Sequence, residues 1–259
     1  MSAAWLVLMR TMRTVRILVI ALLVGSNVSL AWTLQSSERL GESPVSHVKK
    51  LVEGARPVLL HLVFFDSKSC GLEVIDHPFA DGTDLAAAMR AHDCLAGVNG
   101  NYFQPDRTPL GLVISNGRLL HPLQKARLLS GLLVVTPGRV SLLRAAEYRP
   151  NAWITQALQA GPFLIDHGKA VPGLESQREA ERTAFLSDGR DHCALLVSAP
   201  VTLAELSQIL GTPGIVGELK IQRALNFDGG SSSGLWVKDP PFYLPEISAV
   251  RNYLGVVEK

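Results

Sequence analysis

GLVISNGRLLHP, residues 111–122, places Asn116-Gly117 between two apolar flanks. A two-residue hairpin turn of type I′ needs φ > 0 at both central positions, which asparagine and glycine reach at least cost, so the stretch reads as two antiparallel strands folded back on each other. SGLLVVTPGRVSLLR (130–144) repeats the device around Pro137-Gly138, and AFLSDGRDHCALLVSA (184–199) around Asp188-Gly189. Outward from these hairpins, VLLHLVFFD (58–66) and GLEVID (71–76) read as strands joined by a loop. CLAGV (94–98) is a short buried strand, and AVRNYLGVV (249–257) supplies a terminal one.

Two segments break the pattern. DLAAAMRAHD (84–93) is helical by its alanines and by the spacing of Leu85 and Met89. TLAELSQILG (202–211) carries Thr202 and Glu205 as a capping box and Gly211 as a stop. Many hairpins, few helices and no β-α-β alternation predict an α+β fold: a mixed, mostly antiparallel β-sheet packed by a few helices in a single domain.

The N-terminus decides where such a domain works. Arg10, Arg13 and Arg16 precede ILVIALLVG (17–25), short of the roughly 20 apolar residues a bilayer span takes. Ser29 and Ala31 are the small residues of a cleavage site, so residues 1–31 read as a secretory signal peptide and Trp32 as the first mature residue. The expectation is an exported protein, periplasmic or extracellular, without a stable membrane anchor once the leader is removed. Residues 32–57 then form a polar lead-in, and residues 58–259 the folded domain.

The leader holds three arginines and no acid, so its removal turns 25 basic against 23 acidic side chains into 22 against 23. A nearly neutral chain with no Lys/Arg block gives no electrostatic support to a nucleic-acid partner. Of three cysteines, Cys70, Cys94 and Cys193, at least one must be unpaired. Spacing alone leaves a Cys70–Cys94 bridge open. No cysteine has a Cys or His partner at the short ligand spacing that zinc sites usually show.

Four polar clusters interrupt the apolar segments. GVNGNYFQPD (97–106) brackets a glycine with Asn99 and Asn101, two amides that suit either a turn or a binding pocket with Tyr102 and Phe103 beneath. QALQAGPFLIDHGK (156–169) sets Gly161-Pro162 before a strand. ERTAF (181–185) opens a strand with Glu181 and Arg182, a surface ion pair or a phosphate ligand. ALNFDGGSSSGLWV (224–237) is the densest. Read as G-x-S-x-G, it would make Ser232 the nucleophile of an α/β-hydrolase, whose triad acid and histidine follow the serine in the chain. The last histidine is His192, so that reading fails. Read as a site loop, it offers Asp228 at a strand end, Gly229 and Gly230 for close backbone approach, and Ser231 and Ser232 as donors in an anion-binding nest.

GVNGNYF, GLVISNG, QAGPFLI, ERTAF and ALNFDGGSSS together, in this order and spacing, resemble the phosphodiester glycosidase domain family. That family takes in the lysosomal N-acetylglucosamine-1-phosphodiester alpha-N-acetylglucosaminidase and bacterial exported relatives. The resemblance runs from about Val58 to the C-terminus, with Phe227 where leucine is usual. It implies hydrolysis of the bond between a sugar's anomeric carbon and a phosphodiester oxygen, with a sugar phosphodiester as the substrate partner. The family pattern falls on Asn99, Asn101, Gly161, Arg182, Asp228, Gly229, Gly230 and Ser232.

A phosphate leaving group is a weak base that needs charge neutralisation more than protonation. Asp228 is therefore expected as base or nucleophile, Arg182 as a bidentate phosphate ligand, and Glu181 as the reserve carboxylate. Asn99, Asn101, Gly161, Gly229, Gly230, Ser231 and Ser232 are expected to bind substrate. No cofactor is required, and a divalent metal beside Asp228 stays open. Two other readings stay open as well: an exported carbohydrate- or phosphate-binding domain without turnover, and a metal-assisted hydrolase of another cell-envelope phosphodiester.

Overall fold

A computed structural model describes residues 31–41, 44–77 and 83–259, so the expected signal peptide lies, but for Ala31, outside the described residues. The largest sheet has eight strands, in the order Thr33–Arg39 (β1), Ser46–Glu53 (β2), Pro57–Asp66 (β3), His192–Val201 (β14), Ala180–Ser187 (β13), Arg223–Asn226 (β15), Phe163–Asp166 (β11) and Lys169–Ala170 (β12). A second sheet runs Arg118–His121 (β7), Val113–Ser115 (β6), Gln156–Ala160 (β10), Gly131–Thr136 (β8) and Arg139–Arg144 (β9). A third runs Phe242–Leu244 (β17), Leu235–Val237 (β16), Ala96–Asn99 (β5), Asn252–Glu258 (β18) and Cys70–Asp76 (β4). Every pairing among these strands is antiparallel. The α+β reading holds, with the sheet divided into three.

The helices are Leu85–Ala91 (α1) and Leu203–Gly211 (α2). Asp84 caps α1 by accepting from the Ala87 amide at 2.7 Å. The capping box of α2 is formed: Thr202 Oγ1 accepts from the Glu205 amide at 3.1 Å, and Glu205 Oε2 from the Thr202 amide at 2.9 Å. Leu206, Ile209 and Leu210 seat α2 on the outer face of the eight-stranded sheet, and Leu85 and Met89 seat α1 on the third sheet. Between the sheets lies the main core, with Phe163, Phe185, Leu225 and Phe227 from one side and Val74, Val98, Leu235 and Leu254 from another.

The three hairpins form where their turn residues sit. Asn116 and Gly117 have φ of 50° and 75°, the pair of left-handed residues that a two-residue hairpin between β6 and β7 demands. Residues 32–57, expected as a polar lead-in, instead contribute β1 and β2, the latter burying Val48 and Val52 against the sheet. All three cysteines are free and buried, so the Cys70–Cys94 bridge left open by the sequence is not formed. Cys94 lies beside Gly255, whereas Cys70 pairs with Glu258, three residues or about 10 Å further along β18.

Candidate active site

Strand ends bring the polar clusters together. β5 ends at Asn99, β10 runs into Gly161, β13 begins at Ala180 and β15 runs into Asp228. Because β13 and β15 pair antiparallel, with Ala184 opposite Asn226, the start of one and the end of the other fall at the same edge of the sheet.

Asp228 is half-buried, and its Oδ1 accepts from the Gly229 amide at 2.9 Å. Burial pushes its carboxyl above the usual carboxylate range, while hydrogen bonds from Ser232 and Gly229 and the charge of Arg178 act the other way. Gly229 has no room for a side chain, since a Cβ there would stand 2.8 Å from the Glu181 carbonyl and 3.7 Å from Arg182 Cδ. The loop thus lies directly on the first residues of β13. Gly230, at φ 64°, opens the turn Gly230–Ser232, and a Cβ there would meet nothing within 4 Å. That face is open to a ligand.

Arg182 is buried, and the protein holds its guanidinium from one side. Nε donates to the Val201 carbonyl at 3.0 Å and Nη2 to the Arg178 carbonyl at 2.6 Å, with Glu175 3.8 Å from Nη2. Nη1 takes no acceptor among the described residues. The side-on fork expected for phosphate is therefore spent on backbone, and the unpaired end is what Arg182 can offer a ligand. Glu181 is half-buried and, by strand alternation, shares the face of β13 that carries Thr183.

The two asparagines do not point into one space. Asn99 Nδ2 donates to the Asp228 carbonyl at 2.8 Å, and its Oδ1 accepts from Thr183 Oγ1 at 2.7 Å and the Gly234 amide at 3.3 Å. Asn101 turns away: Nδ2 donates to the carbonyls of Leu110 at 3.1 Å and Gln159 at 3.2 Å, and Oδ1 accepts from Asn252 Nδ2 at 2.7 Å. Both side chains are buried and act on backbone, Asn99 by clamping the Asp228 loop and Asn101 by tying β5 to β10 and β18. Ser231 is likewise engaged, its carbonyl accepting from the amides of Ile247 and Ser248 at 2.8 and 2.9 Å.

Gly161 joins through its carbonyl, which accepts from Tyr102 Oη at 2.6 Å and Asn226 Nδ2 at 3.2 Å. A Cβ at Gly161 would stand 2.3 Å from the Leu128 carbonyl. Burial, chiefly, and the nearby Asp228 charge raise the Tyr102 phenol above its usual range, so it stays protonated as a donor. Asn226 Nδ2 also donates to Tyr102 Oη at 2.9 Å, and its own Oδ1 is buried with no hydrogen-bond partner among the described residues. Sequence reasoning missed Asn226, Thr183 and Arg178 as site residues. Arg178 carried one readable signal, a second arginine four residues before Arg182. Among the described residues, no group of three or more His, Cys, Asp or Glu side chains is placed to hold a metal ion.

The model of one family, described as phosphodiester glycosidase, matches residues 92–257, a span that contains every residue of this cluster. No curated protein matches the sequence. Three solved structures share the fold at low identity. A hypothetical protein from Synechocystis is 17% identical with a TM-score of 0.60, over 86% of this chain; the chain spans 64% of that protein's length. The zebrafish N-acetylglucosamine-1-phosphodiester alpha-N-acetylglucosaminidase catalytic domain, auto-inhibited by its pro-peptide, is 16% identical with a TM-score of 0.57, over 91% of this chain and 85% of that one. A putative exported protein from Burkholderia pseudomallei is 14% identical with a TM-score of 0.55, over 78% and 74%.

Proposed function

The chain belongs to the phosphodiester glycosidase family, and from that premise we propose that it is an exported hydrolase that separates a sugar's anomeric carbon from a phosphodiester oxygen. The observation that carries this reading is a half-buried carboxylate, Asp228, on an open glycine loop that lies directly against the guanidinium-bearing start of β13. In the proposed reaction the bond between C1 and the phosphate oxygen breaks. The oxygen of water ends on C1, and the phosphate leaves as a monoester of the remaining alcohol.

Charge on the departing phosphate is the main demand, and donors fixed in place before the reaction meet it at least cost. Arg182 is such a donor because two carbonyls hold its other edge. Arg178, exposed and within electrostatic reach of Asp228, adds a second cation on the solvent side. Asp228 acts at the anomeric carbon as base or nucleophile, Ser232 and the Gly229 amide orient it, and Glu181 is the second carboxyl group that glycoside cleavage usually employs. Asn99 positions the loop through the Asp228 carbonyl.

The test is a panel of sugar-1-phosphodiesters hydrolysed in ¹⁸O-labelled water. Label on the released sugar and none on the phosphomonoester is expected. Label on the phosphate would mean that the P–O bond breaks and would overturn the proposal. Saturable binding with no release across the panel would mean a binding domain instead.

A further inference from the structure

β13 and β15 have a second end. Ser187 pairs there with Arg223, about 17 Å from Arg182 at roughly 3.3 Å per strand residue. Four chain segments converge on it: the start of β9 from the second sheet, the His167-Gly168 turn between β11 and β12, the Asp188-Gly189 turn between β13 and β14, and Lys220 to Arg223 leading into β15. They enclose a cavity of about 700 Å³, within the range of small-molecule sites.

The lining is basic. Arg223 is neutralised by Glu147 at 2.6 Å and Asp166 at 3.0 Å. Arg139, Arg190 and Lys220 have no acceptor among the described residues, and all three are exposed to the cavity mouth. The one carboxylate in the lining, Asp188, already accepts from the Arg190 amide at 2.7 Å and His192 Nδ1 at 2.9 Å. Asp188 in the lining and Asp191 beside it, which Arg190 shares with Lys68, offset part of this charge, and Arg139, Arg190 and Lys220 leave the site with a positive excess. Gln222, between the Gly168 and Gly189 turns, adds an uncharged donor and acceptor.

We propose that this cavity is a second anion site, one that takes a phosphomonoester on a sugar-sized body. The positive excess suits a phosphomonoester dianion, and the volume exceeds what a bare phosphate fills. None of its residues belongs to the Asp228 cluster, so the proposal stands or falls apart from the proposed reaction.

The experiment is calorimetric titration of the full chain at low salt and pH 7.5 with glucose 6-phosphate, inorganic phosphate and glucose. The Arg190→Gln/Lys220→Gln variant and, separately, Arg182→Gln are titrated alongside. Glucose 6-phosphate is expected to bind more tightly than phosphate, and glucose not at all. The double variant should weaken binding at least roughly ten-fold per cation removed, and Arg182→Gln should leave it unchanged. The Gly168 and Gly189 amide resonances should move on titration of the native protein, a readout that needs no variant. No saturable binding, equal binding by the double variant, or binding lost only in Arg182→Gln overturns the proposal. So does an acidic peptide that saturates the cavity while glucose 6-phosphate does not, which would assign the groove to a peptide lying along the edge strand β9.

Discussion

Burial makes ionisation of Asp228 costly, and a group whose folded pKa is raised contributes instability once it ionises. Asp228→Asn keeps the shape and removes that cost. Turnover is expected to fall by at least about two orders of magnitude, the scale of a lost general base, while the melting temperature holds or rises. Measuring kcat and Tm on the same sample checks this, and a large fall in both would make Asp228 a structural residue. Arg178 favours the ionised carboxylate, so Arg178→Gln should move the acid limb of kcat/KM to higher pH, with the limb already above pH 3.8 in the native protein. An unmoved limb would remove Arg178 from the site. Asp228 and Arg182 could be singled out in the sequence because each sets a charge at the end of an apolar strand. Asn226 was not, because its meaning lies in a hydrogen bond to Tyr102, 124 residues away. Asn99 and Asn101 were legible as a pair but not in direction. Only the packed structure reveals that Asn252, from the last strand, donates to Asn101 Oδ1.

At the level of elements, turn chemistry and caps carried the sequence reading, and partners did not. The β6–β7, β8–β9 and β13–β14 hairpins and both helix starts follow from residues within a few positions of each other. β3 and β4 are neighbours in sequence yet lie in different sheets, because β3 pairs with β2 and β14 and β4 with β18. No local signal encodes that division. The His167-Gly168 hairpin, both residues at φ > 0, also went unread because its second strand has only two residues. One contact between sheets gives a pH-dependent stability. His47 on β2 and His61 on β3 stand 3.1 Å apart, and the Phe242 ring of β17 lies 4.7 Å from each. Burial, and then His61, hold His47 down to about 4 from 6.5. The unfolded chain therefore binds the proton first, and the stability is complete above pH 6.5 and lost as pH falls towards 4. At pH 4.5 the loss through His47 comes to roughly 2–3 kcal/mol at about 1.4 kcal/mol per pKa unit. Denaturant titrations at pH 7.5 and 4.5 should show His47→Phe losing less stability than the native protein by that amount. Parallel losses would mean that the histidine pair is not the acid-sensitive contact.

The described residues form three antiparallel sheets with the main core between them, and polar loops gather at both ends of the β13–β15 pair. The site needs the eight-stranded sheet to be rigid, because Arg182 and Asp228 are placed by strand register and not by a shared loop. This gives the N-terminal strands, read from sequence as a polar lead-in, a structural task. β1 is exposed along its whole length, whereas β2 buries His47, Val48, Lys50 and Val52 against β3. Lys50, its side chain 2% exposed, pairs through Nζ with Glu218 at 2.8 Å and so ties β2 to the segment after α2. The two strands are therefore unequal. A chain begun at Ser46 gives up the exposed β1 together with two buried side chains, Trp32 and Val45, and the Ser37 hydroxyl that accepts from Lys50, and should still fold as a monomer but with a lower melting temperature than the full chain. A chain begun at Pro57 in addition bares the β3 edge, leaves Glu218 without its lysine and strips Val48 and Val52 from the core. An exposed, flat, apolar edge such as VLLHLVFF is a template for pairing between molecules. Removal of β2 should therefore produce aggregation, and size-exclusion chromatography of the two truncations separates the cases. A monomeric, active chain begun at Pro57 would restore the lead-in reading and show that β3 alone can close the sheet that holds Arg182.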